Sequence, residues 1–162
     1  EYVLKMKNKK TIRFNMIREK KKCLGHWDIE SWGLSIDGGP SFKTSCELLL
    51  PINRFIDDFE GFSSQAKDVL EIDPNGGGLD ISVQRGPSDC STLLIKENRI
   101  SGKILFKGGF NTNYLLGEFV NFFSDVVDSF IPNTSEEKGY LLSLQKKLGC
   151  ILASLTKRIE SL

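Results

Sequence analysis

The stretch from Ile100 to Phe130 places the strongest constraint on how this chain can fold. Its pattern predicts a strand over Ile100–Phe106, a turn at Gly108-Gly109 and then an amphipathic helix. The apolar residues of that helix recur at the i, i+3, i+4, i+7 spacing of a buried face, and they are Leu116, Phe119, Val120, Phe123, Val126, Val127 and Phe130. A sheet packed on this face is the simplest way to remove so much aromatic surface from water.

The segments before this stretch predict strands arranged in hairpins. Ile12, Phe14 and Met16 alternate with polar residues, which is the period-2 pattern of a half-buried strand. The apolar pattern of Trp27–Ile36 slips by one residue, which predicts a β-bulge near Ser31–Gly33. The predicted strands are Tyr2–Met6, Thr11–Arg18, Trp27–Ile36, Phe42–Leu49, Leu79–Gln84, Thr92–Lys96 and Ile100–Phe106.

Two further helices are predicted, one on each side of the aromatic helix. The first covers Pro51–Glu60, ends at Gly61 and has an inner face of Ile52, Phe55, Ile56 and Phe59. The second follows Pro132, runs to the C-terminus and carries a stripe of Leu141, Leu144, Leu148, Ile151, Leu155, Ile159 and Leu162. This stripe is close to a coiled-coil seam, so it predicts either packing on the protein's own sheet, which we favour, or a homodimer.

The predicted fold class is α+β, with a mostly antiparallel sheet of about seven or eight strands. A short helix, an aromatic-rich helix and a long C-terminal helix pack on this sheet. A length of 162 residues is that of one domain. We expect the sheet and two helices within residues 1–131, with residues 132–162 forming the last helix in the same domain or as an appended arm.

The residue types that carry catalysis are sparse. His26 is the single histidine, and although Cys23 precedes it at metal-ligand spacing, no second pair completes a zinc site. No Gly-x-Ser-x-Gly motif is present. Asp57, Asp58 and Glu60 form the densest carboxylate cluster, but adjacent helical positions diverge by about 100° and do not converge on one proton or metal. We therefore expect a protein that is not an enzyme and binds neither metal nor cofactor.

Charge is distributed unevenly along the chain. Residues 1–22 hold nine Lys and Arg against two Glu, whereas residues 23–134 hold eight against sixteen Asp and Glu. The basic N-terminal hairpin, with Lys20, Lys21 and Lys22, leaves a nucleic-acid-binding adaptor as an alternative function. The sequence opens without a signal peptide, and no apolar run approaches the roughly 18 residues of a membrane span. We expect a cytoplasmic protein that does not bind a membrane.

The order of predicted elements resembles a known group of proteins. A strand containing Trp27 to Trp32 leads through a hairpin to Phe42–Leu49, then to the short helix Pro51–Glu60 and a strand meander, and Ile100–Phe106 runs into the aromatic helix. This order is similar to that of the small bacterial immunity proteins of polymorphic and contact-dependent toxin systems, especially the WapI-type immunity proteins. The resemblance covers roughly residues 11–130.

The resemblance implies a non-catalytic protein that binds a cognate toxin and blocks its active site or an essential surface. Many such toxins are basic nucleases, so the acidic middle segment would attract them and compete with nucleic acid. The predicted contacts are carboxylates expected to be exposed beside buried residues, namely Asp28, Glu30, Asp57, Asp58 and Glu60. An assembly or chaperone-like subunit that uses the C-terminal helix is a further alternative.

Overall fold

The structure, a computed structural model, describes residues 11–16, 22–23, 30–36, 40–46, 49–73, 78–97 and 100–160. Within these ranges the chain is α+β, as predicted. The strands are β1 Ile12–Met16, β2 Lys22–Cys23, β3 Glu30–Ile36, β4 Ser41–Cys46, β5 Val69–Asp73, β6 Asp80–Arg85, β7 Cys90–Lys96, β8 Ile104–Asn111 and β9 Phe130–Ile131. The helices are α1 Leu49–Ser63, α2 Thr112–Asp128 and α3 Ser135–Glu160.

The described strands form two antiparallel sheets and one short parallel pair. The first sheet has the order β1-β3-β4, the second has the order β5-β6-β7-β8, and β2 pairs with β9 in parallel. The predicted hairpin that joins Ile36 to Phe42 is confirmed, since β3 and β4 pair antiparallel with Leu34 opposite Phe42. The predicted arm at residues 2–6 lies outside the described residues, and β1 pairs with β3.

The prediction of one continuous sheet is therefore matched only in part. α1 follows β4 after a short connection and extends over fifteen residues before β5 begins. β5 then pairs with β6 and begins a separate ladder. The alternation of apolar and polar residues shows which segments are strands, but it does not show which strands are neighbours.

α2 lies at the centre of the core and is packed from several sides. The ring of Phe14, on β1, stacks on Phe122 with centroids 4.8 Å apart. On another flank the ring of Phe55, on α1, meets Phe123 edge-on at 5.3 Å. The buried residues of α2 are Leu115, Leu116, Phe119, Val120, Phe122, Phe123, Val126 and Val127. The part of the predicted face that lies in α2 is buried, together with Leu115 and Phe122 beside it, because neighbouring elements cover this helix on more than one side. Phe130 departs from the prediction, since it lies beyond the helix in β9 and is half-buried.

The predicted turn at Gly108-Gly109 is wrong, because both glycines lie inside β8. β8 pairs with β7 through this position, with Thr92 opposite Gly109. A Cβ atom at Gly108 would lie 2.6 Å from the ring of Phe106, so glycine makes room for that ring. The chain turns from strand to helix only at Asn111, whose side chain accepts a hydrogen bond from the Tyr114 backbone N–H and caps α2.

The β-bulge predicted near Ser31–Gly33 is also absent from the described part of β3. Residues of β3 pair in unbroken register with both β1 and β4. Trp32, Leu34 and Ile36 are buried on one face, as strict alternation requires. A Cβ atom at Gly33 would lie 2.7 Å from the carbonyl oxygen of Phe42, so this glycine permits a close approach between strands.

α1 is longer than the predicted helix Pro51–Glu60. It begins at Leu49, which leaves Pro51 in the first turn, where the missing backbone N–H has no helical partner to lose. It continues past Gly61 to Ser63. The helix ends where Gln65 adopts a positive φ of 68°.

α3 packs its leucine-rich stripe inside the chain. Thr134 and Glu137 cap its first turn, since Thr134 Oγ1 accepts the Glu137 N–H and Glu137 Oε2 accepts the Asn133 N–H. The stripe residues whose side chains the structure describes are buried, and they are Leu141, Leu144, Leu148, Ile151 and Leu155. The predicted packing on the sheet is not what the structure shows, because α3 packs chiefly against α2. The stripe is covered within the chain all the same, which favours intrachain packing over a dimer seam.

Candidate protein-interaction surface

The outer surface of α1 carries three of the carboxylates predicted as partner contacts. Asp57 and Glu60 are exposed and, being three residues apart, lie about 60° from each other around the helix. Asp58 points to the other flank, where its Oδ1 atom accepts a hydrogen bond from Lys67 Nζ at 2.8 Å. The structure thus brings Asp57 and Glu60 together on the solvent side and separates Asp58, which already has a cationic partner.

The remaining two predicted contacts lie before α1. Glu30 is the first residue of β3 and pairs with Cys46, the last residue of β4. The backbone of Glu30 is therefore at the end of the sheet from which the chain passes into α1. Its side chain and the whole of Asp28 lie outside the described part of the structure.

The inner face of α1 fixes the position of these carboxylates. Its buried residues are Pro51, Ile52, Phe55, Phe59 and Phe62. At the C-terminal end of the helix the guanidinium carbon of Arg85, from β6, lies 4.3 Å from the centre of the Phe62 ring. The outer side chains of α1 are consequently presented by a helix that is held firmly to the core.

A groove lies between α1 and α3. The two helices touch where Asn53 Nδ2 donates a hydrogen bond to the Tyr140 hydroxyl at 2.8 Å. Further along both helices a space of about 820 Å³ opens between them. Its apolar floor consists of Ile56, Phe59 and Ile151, of which Ile56 is half-buried and the other two are buried. We refer to this space as the α1–α3 groove.

The two rims of the α1–α3 groove have opposite charge. Glu60 lines the groove from α1, and Lys146 and Lys147 line it from α3. All three side chains are exposed. Among the described residues no ion pair joins them across the groove. The arrangement is therefore an apolar channel with an acidic rim and a basic rim, and both rims face solvent.

Against the requirements of metal, thiol and carboxyl sites, two thiols and one carboxyl stand out among the described residues. Among them no group of three or more His, Cys, Asp or Glu side chains is placed to hold a metal ion. Cys90 and Cys150 are exposed free thiols. Burial raises the pKa of the Glu118 carboxyl, on α2. None of the described helices has the length and apolar character of a membrane span.

The surfaces predicted for the alternative functions differ in how far the structure describes them. Of the three basic residues Lys20, Lys21 and Lys22, only Lys22 falls within the described ranges, where it begins β2. The C-terminal stripe is buried against the core over its described length. The best described candidate binding surface is thus the α1–α3 groove together with the exposed acids of α1, Asp57 and Glu60, and we call it the α1–α3 surface.

Comparison of the chain with models of known protein families, with curated proteins and with solved structures gave no match. The resemblance to bacterial immunity proteins consequently stays a prediction from the order of the elements.

The basic rim was missed by sequence reasoning. Lys146 and Lys147 are exposed on α3 and lie in the sequence between the buried Leu144 and Leu148. Helical periodicity alone places both lysines outside the core, and that was the one signal in the sequence. It gave no reason to select them, because the facing residue Glu60 belongs to a helix far away in the chain.

Proposed function

We propose that this chain is a non-catalytic binding protein, and specifically an immunity protein that neutralises a cognate bacterial toxin by direct binding. The observation that carries the binding role is the α1–α3 surface, where exposed charges flank an apolar groove on two helices anchored in one core. The choice of a toxin as partner rests on the resemblance in the order of elements. The proposal includes no catalytic residue and no cofactor, and it places the complex in the cytoplasm.

The exposed acids of α1 support this proposal physically. Asp57 and Glu60 stand next to each other on a helix whose inner face is packed into the core. Binding therefore does not require this backbone to become ordered, which keeps the entropic cost of association low. A basic toxin would be attracted to these acids before contact, and the attraction would increase its association rate more than its final affinity.

Co-expression with the product of the adjacent open reading frame tests the proposal. We expect the two proteins to form a complex and the complex to relieve growth inhibition caused by that product. In purified form, the double substitution Asp57→Lys and Glu60→Lys should weaken the complex about tenfold, because two exposed attractions of about 0.2–1 kcal/mol each become repulsions. Biolayer interferometry at two salt concentrations would measure both the association rate and the affinity.

A matched control uses acids outside the α1–α3 surface. Asp89 and Asp125 are exposed on the β6–β7 turn and on α2. Their double replacement by lysine changes the net charge by the same amount and should leave the affinity within about twofold, as expected for charges outside the contact area. Absence of any complex would refute the proposal, and so would equal losses in the two double variants.

The other functions inferred from sequence have less support. A nucleic-acid adaptor would use the basic N-terminal hairpin, most of which lies outside the described residues. An assembly subunit would use the leucine-rich stripe of α3, which is occupied by contacts within the chain. Neither is favoured by a specific observation.

A further inference from the structure

The α1–α3 groove has the shape of a site for a third helix. Both of its walls are helices, whose backbone hydrogen bonds are made internally. Neither wall therefore offers the unpaired backbone edge that an extended peptide needs in order to add a strand. A helix laid between two helices needs only complementary side chains, because its ridges fit the space between theirs.

The extent of the groove sets the size of the helix that fits. Along α1 and the residue after it the groove runs from Ile56 to Ser64, and on α3 it runs from Ser143 to Ser154. At 1.5 Å per residue these spans are about 12 Å and about 17 Å. A partner helix would contact the groove over two to three turns and would present about three apolar side chains at i, i+3 or i+4, and i+7 spacing.

The charges of the rims define the flanks of that helix. Glu60, with Asp57 beside it, makes the α1 rim acidic, whereas Lys146 and Lys147 make the α3 rim basic. A helix with one kind of charge on both flanks would be attracted by one rim and repelled by the other. Only a helix with basic residues on one flank and acidic residues on the other complements both rims.

We propose that the α1–α3 groove receives an amphipathic helix of the partner protein, with an apolar stripe that has basic residues on the flank facing α1 and acidic residues on the flank facing α3. This inference rests on the proposed function, because it names the element of the partner that the surface binds. It assigns Lys146 and Lys147 a role in recognition equal to that of Glu60.

Three synthetic helical peptides test the inference without the partner. Each has about 18 residues and the same leucine stripe, long enough to form helix upon binding. The mixed peptide has lysines on one flank and glutamates on the other, the acidic peptide has glutamates on both, and the basic peptide has lysines on both. Fluorescence anisotropy should give an affinity for the mixed peptide about tenfold higher than for either of the others.

Charge substitutions on the rims should change the preference in opposite directions. Asp57→Lys together with Glu60→Lys makes both rims basic, so the acidic peptide should become the best ligand. Lys146→Glu together with Lys147→Glu makes both rims acidic, so the basic peptide should become the best ligand. The controls Asp125→Lys and Lys138→Glu, at exposed sites away from the groove, should leave the order of the three peptides unchanged.

Occlusion of the groove provides a second readout. Ser154 lines the groove, whereas Thr156 is exposed on the other flank of α3. Ser154→Trp should weaken the mixed peptide by about tenfold or more, and Thr156→Trp should have little effect. Thermal unfolding of each variant would verify that the fold is retained. If Ser154→Trp destabilises the fold, the charge substitutions on the rims test the same groove without it.

The inference is overturned if no peptide binds at about 1 mM, if the rim substitutions do not reorder the peptides, or if the two tryptophan variants behave alike. Its failure is separable from that of the proposed function. Suppose that Asp57→Lys with Glu60→Lys weakens the toxin complex, whereas Lys146→Glu with Lys147→Glu and Ser154→Trp leave it unchanged. The immunity role is then retained, and the proposal that the groove receives a partner helix is refuted. Peptides that follow the rim charges, with no toxin bound, remove the immunity role alone.

Discussion

Gln145 joins α3 to α2 through three hydrogen bonds. We expect its replacement by alanine to lower the stability of the fold, and its replacement by glutamate to lower it in a way that depends on pH. Its Oε1 atom accepts from Ser124 Oγ at 2.8 Å, and its Nε2 group donates to the Ser124 carbonyl oxygen at 2.9 Å. Nε2 also donates to Asp128 Oδ1 at 2.7 Å. The Ser124 contacts are partly buried, and the Asp128 contact is exposed. The amide thus satisfies donors and acceptors on the facing helix that water reaches only in part.

Gln145→Ala should lower the free energy of unfolding by about 1–3 kcal/mol. Each partly buried hydrogen bond contributes about 0.5–1.5 kcal/mol, and the exposed one contributes little because water replaces it. For a domain of this size the loss corresponds to a fall in Tm of about 2–12 °C. Because the alanine carries no charge, the difference from the native chain should change little between pH 4 and pH 8.

Gln145→Glu has nearly the same shape but should behave differently with pH. At neutral pH the introduced carboxylate faces the Ser124 carbonyl oxygen and the Asp128 carboxylate, so its pKa in the folded state is raised above the unfolded value of about 4.3. The folded state then binds more protons between the two pKa values, and stability falls as pH rises through that window. The loss relative to the native chain should be smallest near pH 4, where the protonated carboxyl donates one hydrogen bond, and largest above the folded pKa.

Urea unfolding followed by tryptophan fluorescence measures both effects. Trp32 is buried in the core, with its ring 5.3 Å from that of Phe122 on α2, and it reports on packing around this helix. In a chain that also carries Asp128→Asn, the introduced carboxylate is repelled by the Ser124 carbonyl oxygen but no longer by a second carboxylate. The stability loss caused by Gln145→Glu should then depend less on pH. Equal and pH-independent losses for the alanine and glutamate variants would refute the assignment of these hydrogen bonds.

Two further predictions concern a close contact with the half-buried ring of Phe106 and a partly buried acid. Gly108→Ala should destabilise the fold by about 1–3 kcal/mol, because its Cβ would lie 2.6 Å from the Phe106 ring, whereas Gly109→Ala, with nothing within 4 Å, should have a much smaller effect in the same urea assay. Glu118→Gln should abolish a component of the pH dependence of stability: burial raises the folded pKa of Glu118, so the native chain loses stability as pH rises from the unfolded to the folded pKa. Identical unfolding curves against pH for the native chain and Glu118→Gln would contradict this.

The buried face of α2 could be predicted because its cause is local. Phe119, Phe123 and Val126 follow the helical period, and a helix with such a stripe must bury it wherever the chain folds. The burial of Leu115 and Phe122 could not be predicted in the same way. Both lie beside the stripe and are buried because the three-stranded sheet and other elements cover the helix on more than one side.

The pairing of strands could be predicted only where a short connection joins them. The β3–β4 hairpin follows from two alternating segments separated by a turn. β1 pairs with β3 across a long stretch of sequence, and no local pattern specifies that partner. The glycines in β8 were wrongly predicted to form a turn. Glycine is common both in turns and in strands where a ring packs closely on the backbone, and only the position of the Phe106 ring in the structure shows that the second case applies.

The features of the candidate surface could likewise be predicted only where their cause is local in the sequence. The exposure of Asp57 and Glu60 follows from the helical period of α1, since the inner positions are occupied by aromatic residues. The pairing of Asp58 with Lys67 depends on the chain folding back after α1. The basic rim at Lys146 depends on α1 and α3 lying side by side, which no periodicity within either helix determines.

The α1–α3 groove lies between two helices that are each packed on the core. Phe55 packs on α2 from one side, and the leucine-rich stripe of α3 packs on it from another. Between α1 and α3 the facing positions carry short polar side chains such as Ser143 and Ser154, which are too small to close the space. Leucines there would bury more apolar area, at about 25 cal/mol per Å², and would make the isolated chain more stable. A helix pair with serines on its facing sides and opposite charges on its rims leaves that stabilisation available to a partner, which is why we assign the proposed binding function to the groove and not to the aromatic core.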